Sequence, residues 1–125
     1  LGQTGLVVLL VENDASLRRA LTLLMESWGA SVIEAEDAEG ALALLDDLAL
    51  VPDAAVLDQQ IGAGATGIEL ACALRDRWGP LPAAIVTADR SESVRRRCEE
   101  LGLPRLLKPI DRMALGAFLR EAADG

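Results

Sequence analysis

Histidine and tyrosine are absent from the 125 residues, and the aromatic complement is one phenylalanine and two tryptophans. Without histidine this chain has no His general base, no Ser-His-Asp triad, no His-ligated zinc and no phosphohistidine of its own. Chemistry is left to carboxylates, hydroxyls, lysine and backbone. Cys72 and Cys98 are the two cysteines; they lack CxxC spacing, and no apolar run has the length of a membrane span or the form of a secretory core. A reducing, cytoplasmic setting without membrane contact is the expectation. Basic side chains number 12 against 20 acidic ones, a formal net charge of -8. Phosphate-backbone binders need clustered Lys and Arg, so no direct nucleic-acid role is expected. The length suits one domain over 1–125 that can remove roughly two thirds of its extended surface from water. Leu1 in place of an initiator Met suggests an excised or processed piece of something longer.

What is present is a repeated unit. Leu6 to Val11 is a continuous apolar run of strand length, rich in valine and leucine, which suits a strand buried on both faces. Leu17, Leu21, Leu24 and Trp28 then recur at helical spacing before Gly29. The alternation continues with a short strand at Ser31 to Glu34 and a helix over Ala38 to Leu48 that places Leu42, Leu45 and Leu48 on one face. Asp53 to Leu57 follows as strand and Ile68 to Trp78 as helix, with Ile68, Ala71, Leu74 and Trp78 in one stripe. Pro82 to Thr87, Ser91 to Leu101, Pro104 to Leu107 and a helix after Asp111, carrying Leu115, Phe118, Leu119 and Ala122, complete a (βα)5 pattern. Right-handed crossovers then give an α/β fold, a parallel five-stranded sheet with helices on both faces. The common doubly wound, flavodoxin-like order is 2-1-3-4-5, with ligands beyond the carboxyl ends of strands 1 and 3.

At that edge strand 1 delivers Glu12 and Asn13, strand 3 Asp58, strand 4 Thr87 and strand 5 Lys108. Asp14 reads as the cap of the helix after strand 1. Glu12 and Asp58 on neighbouring strand ends would repel, and a divalent cation removes that penalty. Mg2+ suits the place, because it takes oxygen ligands and is held by one or two carboxylates plus water and phosphate oxygens. A carboxylate beside a metal can attack phosphorus to form an acyl phosphate. The Lys108 ammonium and the Thr87 hydroxyl could then neutralise and hold the phosphoryl oxygens. A cis bond at Lys108-Pro109, which proline makes accessible at modest cost, would aim the lysine back across the sheet edge.

Gly62-Ala63-Gly64-Ala65-Thr66-Gly67 matches G-x-G-x-x-G. A dinucleotide-binding loop follows the first strand, however, whereas these glycines follow the third, and no second mononucleotide half fits in the chain. No Lys-Ser or Lys-Thr follows Gly67, so a P-loop is not formed either. The segment reads as a connection beside the site.

Val11-Glu12-Asn13-Asp14, Pro52 to Asp58, Thr87-Ala88 and Leu107-Lys108-Pro109-Ile110 resemble, in order and spacing, the motifs of the receiver domain family of two-component signalling, over Leu6 to Ala122. The resemblance implies that Asp58 accepts a phosphoryl group from a partner phosphohistidine, on a histidine kinase or a histidine phosphotransfer domain. It implies that Glu12 and Asn13 hold Mg2+ with Asp58 and the Gln60 backbone carbonyl, and that Thr87 and Lys108 contact the phosphoryl group. Such a domain promotes its own phosphorylation and dephosphorylation and is not a conventional enzyme.

Three positions depart from the family pattern. Asn13 stands where a second acid is common, which implies weaker Mg2+ binding. The loop after Asp58 lacks the usual proline and is one residue longer before Gly67. Arg105 stands where many members carry an aromatic switch residue. These features, with Leu1 and the Glu26-Ser27-Trp28-Gly29 phrasing, resemble receivers fused at the carboxyl end of hybrid sensor histidine kinases. A stand-alone or truncated response regulator, and a pseudo-receiver that binds without phosphorylation, are the alternatives, and a homodimer stays open. Arg95-Arg96-Arg97 reads as a solvated helix face and the cysteines as packing residues.

Overall fold

The computed structural model describes residues 5–62 and 64–124. Five strands alternate with five helices: β1 Val7–Val11, α1 Ala15–Ser27, β2 Ser31–Ala35, α2 Ala38–Leu48, β3 Ala54–Asp58, α3 Gly67–Trp78, β4 Ala83–Thr87, α4 Glu92–Leu101, β5 Arg105–Leu107 and α5 Arg112–Asp124. The strands are parallel in the order β2-β1-β3-β4-β5, as the doubly wound reading requires. The expected short second strand has five residues, and β5, with three, is the shorter edge.

Side chains alternate across a strand, so the apolar run of β1 divides between two cores. Val8 and Leu10 pack with Leu21 and Met25 of α1 and with Leu115, Phe118 and Leu119 of α5. Leu9 and Val11 face the other way, against Ala41 and Leu45 of α2, Leu70 and Leu74 of α3 and Cys98 of α4. Each fully buried leucine contributes roughly 2–3 kcal/mol by leaving water. The sheet is therefore a wall between an α1/α5 layer and an α2/α3/α4 layer. Leu48, expected on the buried face of α2, is instead 50% exposed. The buried stripe is Ala38, Ala41 and Leu45; Leu48 lies on the same face one turn further on, but as the last residue of the helix before the Ala49 cap it sits beyond the cover of the core.

Helix starts follow cap chemistry. Asp14 accepts from Ser16 and Leu17 N–H (3.0 and 3.2 Å), Asp37 from Gly40 N–H, Ser91 from Val94 N–H, and Thr66 and Glu69 form a reciprocal capping box. Asp111 accepts from Met113 N–H at the start of α5. At the other end of α2, Ala49 adopts φ 50° and ψ 49°, a left-handed cap that usually falls to glycine. Ala49→Gly is expected to raise stability by about 0.5–1 kcal/mol, read as a higher denaturation midpoint at unchanged slope; a fall in the midpoint would contradict it.

Candidate functional site

Three backbone ladders extend past the strands to the polar residues. Glu12 N–H donates to Ala35 O (3.1 Å), Gln59 N–H to Val86 O (2.9 Å) and Lys108 N–H to Thr87 O (2.9 Å). The period of two thus carries through to the strand ends. Glu12 has the parity of Leu10, Asp58 that of Val56 and Lys108 that of Leu106, all on the α1/α5 side. Thr87 has the parity of Ile85, on the side of α4. The three charged groups converge for that reason, with the hydroxyl across from them.

They line a cleft of about 570 Å3 whose walls are Glu12, Asn13, Asp14, Asp58, Gln60, Thr87, Ala88, Asp89 and Lys108. Every residue named from the sequence as a site candidate is in it. Glu12, Asp58 and Thr87 are buried, at 2%, 4% and 2% exposure, whereas Asn13 and Gln60 lie exposed at the rim. The Lys108 ammonium reaches both carboxylates, 3.0 Å from Asp58 Oδ2 and 3.4 Å from Glu12 Oε1. The Lys108-Pro109 bond is cis, as expected. Glu12 Oε2 accepts Asp14 N–H (3.0 Å), Asp58 Oδ1 accepts Gln60 N–H (3.1 Å) and Thr87 Oγ1 accepts Asp89 N–H (2.9 Å). Arg18 donates to the Glu12 carbonyl (2.7 Å) and pairs with Glu34, pinning the β1–α1 turn.

Burial pushes the Glu12 carboxyl above its usual range, and the adjoining Asp58 carboxylate adds to that, against the Asp14 N–H and the Lys108 ammonium. Burial acts to lower Lys108, but its two carboxylate partners outweigh it and hold the amine more firmly protonated. The resting cluster is therefore two buried carboxylates around one cation. Among the described residues no three Cys, Asp or Glu side chains are arranged to hold a metal ion. An ion here would rest on two carboxylates, amide and backbone oxygens and water, an all-oxygen donor set that fits Mg2+ and not a thiophilic metal.

A larger hollow, about 1080 Å3, lies at the opposite edge of the sheet beside Leu6, Pro52, Trp78 and Leu81. Its ionisable groups are engaged with backbone: Asp53 accepts Val7 N–H (2.8 Å) and Arg75 donates to the Leu81 carbonyl (3.2 Å). The smaller cleft is where two buried carboxylates, a hydroxyl and a lysine meet. The glycine motif lies beside it, between β3 and α3, with Gly62 and Gly64 at φ 85° and 101° and Ala63 outside the described residues. Arg95, Arg96 and Arg97 pair along α4 with Glu92, Glu99 and Glu100, the solvated face expected of them. Arg105 is half-buried on β5, its Nη1 without a hydrogen-bond partner. Sequence reading passed over Gln59 and Arg18; both act through backbone groups, which residue type does not announce.

The KDP operon transcriptional regulatory protein KdpE of Escherichia coli (strain K12) is 34% identical over 116 residues. That match takes in 92% of this chain and 50% of the relative, so the chain spans half the length of the curated relative it matches. Among solved structures, the receiver domain of Francisella response regulator 1452 superposes with a TM-score of 0.84 at 22% identity, over 96% of this chain and 98% of that one. The BeF3-activated N-terminal receiver domain of Klebsiella pneumoniae RstA gives 0.82 at 22% identity, over 95% and 99%. No helix among the described residues is long and apolar enough to cross a membrane. The sequence model for the response regulator receiver domain matches residues 8–120, nearly the whole of the sheet and its helices. With that match and the five-stranded order beneath it, the chain belongs to the receiver domain family of two-component response regulators.

Proposed function

We propose that Asp58 accepts a phosphoryl group from a phosphohistidine on a partner histidine kinase or histidine phosphotransfer domain, in a Mg2+-dependent reaction. One observation carries the reading: the buried Asp58 carboxylate sits beside buried Glu12, with the Lys108 ammonium 3.0 Å from one and 3.4 Å from the other. An Asp58 carboxylate oxygen attacks phosphorus, the P–N bond to the donor imidazole breaks, and its electron pair stays on the nitrogen, which is protonated. Glu12, Asn13, Asp58 and the Gln60 carbonyl are the residues that would hold Mg2+, which when bound neutralises phosphoryl oxygens. Lys108 stands ready to follow the charge as it moves from the carboxylate to the phosphoryl group. The Thr87 oxygen already accepts Asp89 N–H, which leaves its O–H to donate into the cleft.

The two free cysteines suit a cytoplasmic setting. A receiver fused to a hybrid sensor histidine kinase is the context the sequence features favour, against a stand-alone or truncated response regulator, and the coding sequence on either side of residues 1–125 distinguishes them.

The test is incubation of the wild-type protein with a small acyl phosphate, with and without Mg2+. Mass spectrometry should find one added phosphoryl group, on the peptide that holds Asp58, and only with the metal present. No adduct at saturating donor and Mg2+ would instead favour a module that works without phosphorylation.

A further inference from the structure

Gln59 lies between the Asp58 carboxylate and the Gln60 carbonyl, and three of its polar groups hold chain segments in place. Its N–H donates to Val86 O (2.9 Å) and its carbonyl accepts Gly67 N–H (3.1 Å). Its side-chain Oε1 accepts Ile68 N–H at 2.9 Å. The Gly67 and Ile68 amides open α3 and have no partners within the helix. One residue therefore gathers both ends of the glycine-bearing loop 60–66. The joint is tight: a Cβ on Gly67 would stand 2.4 Å from the Asp58 carbonyl oxygen.

We infer that Gln59 is a positioning residue for the cation and phosphoryl site, its side-chain amide fixing the start of α3 against β3 and so setting Gln60 and Asp58 in register with Glu12. The choice of site rests on the Asp58 reading above. Gln60 N–H donates to Asp58 Oδ1 (3.1 Å), so displacement of residue 60 moves both a carbonyl donor and a hydrogen bond of the attacking carboxylate. Helix stability does not call for this clamp. The Thr66–Glu69 capping box already serves α3, with Glu69 N–H on Thr66 Oγ1 at 3.2 Å and Thr66 N–H on Glu69 Oε1 at 2.8 Å. Loss of the Gln59 acceptor is thus felt at the site more than in the helix.

Mg2+ affinity measured by isothermal titration separates the roles. Gln59→Met keeps the chain length and removes the acceptor; it is expected to weaken Mg2+ binding about tenfold, as loss of a supporting shell does, with the melting temperature within about 3 °C of wild type. Gln59→Glu restores an acceptor for Ile68 N–H and should bind Mg2+ at least as tightly as wild type. Wild-type affinity in Gln59→Met, or an equal loss in both variants, overturns the inference. A measurement on the wild-type protein needs no substitution: coupling is reciprocal, so Mg2+ should slow amide exchange at Gly67 and Ile68. No slowing there also overturns it. Phosphoryl acceptance run in parallel tells the two readings apart. A protein without adduct but with Mg2+-linked protection at Ile68 loses the Asp58 reading and keeps the clamp; a normal adduct without that protection does the reverse.

Discussion

Asp58→Asn is expected to take up no phosphoryl group under conditions that load the wild-type protein, and in metal-free buffer to melt about 4 °C higher. The first effect is total because an amide oxygen does not supply the anionic nucleophile that forms the acyl phosphate. The second follows from the cluster. Glu12 and Asp58 are both almost wholly buried and share one ammonium, so the resting site carries an excess buried negative charge. Removing one charge while keeping the shape relieves about 1 kcal/mol of desolvation and repulsion, worth a few degrees in a domain of this size. The pH dependence gives an independent sign. Glu12 has a folded-state pKa above its ordinary value of 4.5, so the folded protein binds more protons than the unfolded chain just above that pH. Stability from this group is then fully present below the unfolded value and is lost as pH rises through the folded one. Asp58→Asn should flatten that loss, seen in melting curves taken at successive pH values. A variant that melts below wild type in metal-free buffer would show that the charges stabilise the fold, against this account.

Gly67→Ala should cost about 3 kcal/mol and empty the site of Mg2+ affinity together. Alanine favours a helix over glycine by up to about 1 kcal/mol. The opposing contact is larger, because the new Cβ meets the Asp58 carbonyl oxygen at 2.4 Å and the carbonyl carbon at 2.9 Å. Both are backbone atoms of β3, which is paired on either side by β1 and β4 and cannot turn aside as a side chain would. The helix must retreat, and the Gln59 bonds to Gly67 and Ile68 lengthen with it. Denaturant unfolding and Mg2+ titration measure the two effects, and a variant with wild-type values in both would refute the close approach.

The strand–helix alternation was legible because each apolar run is bounded by a cap or a glycine: Asp14, Ser91 and Gly102 do in space what their residue types suggest. The site was legible because polar residues at strand ends are conspicuous against β1, β3 and β4, whose other positions are apolar. The misplaced residues have two physical causes. On α1 the spacing of the leucines predicts the inner stripe, yet Thr22 and Met25 are buried beside Leu21, while Leu17 and Leu24 are only partly covered; helical spacing alone does not fix the azimuth, which the facing layer chooses. On α2 Leu48 continues the stripe of Ala41 and Leu45 but is the last residue of the helix, where cover by the core has ended. Gln59 was invisible because its work is done on the amides of Gly67 and Ile68, a pairing that exists only once the loop has closed.

The sheet that separates the two cores also divides the site's mechanical attachments. Glu12, Asp58 and Lys108 take their strand parity from the α1/α5 layer, and Thr87 takes its own from the layer containing α4. The second layer is nevertheless fastened to the cleft at two points: the Thr87–Asp89 bond leads into the turn before α4, and the Gln59 bonds to Gly67 and Ile68 hold the start of α3 beside Asp58 and Gln60. The charges of the cleft thus lie on one side of the sheet, while the backbone amides that fasten its rim belong to the other.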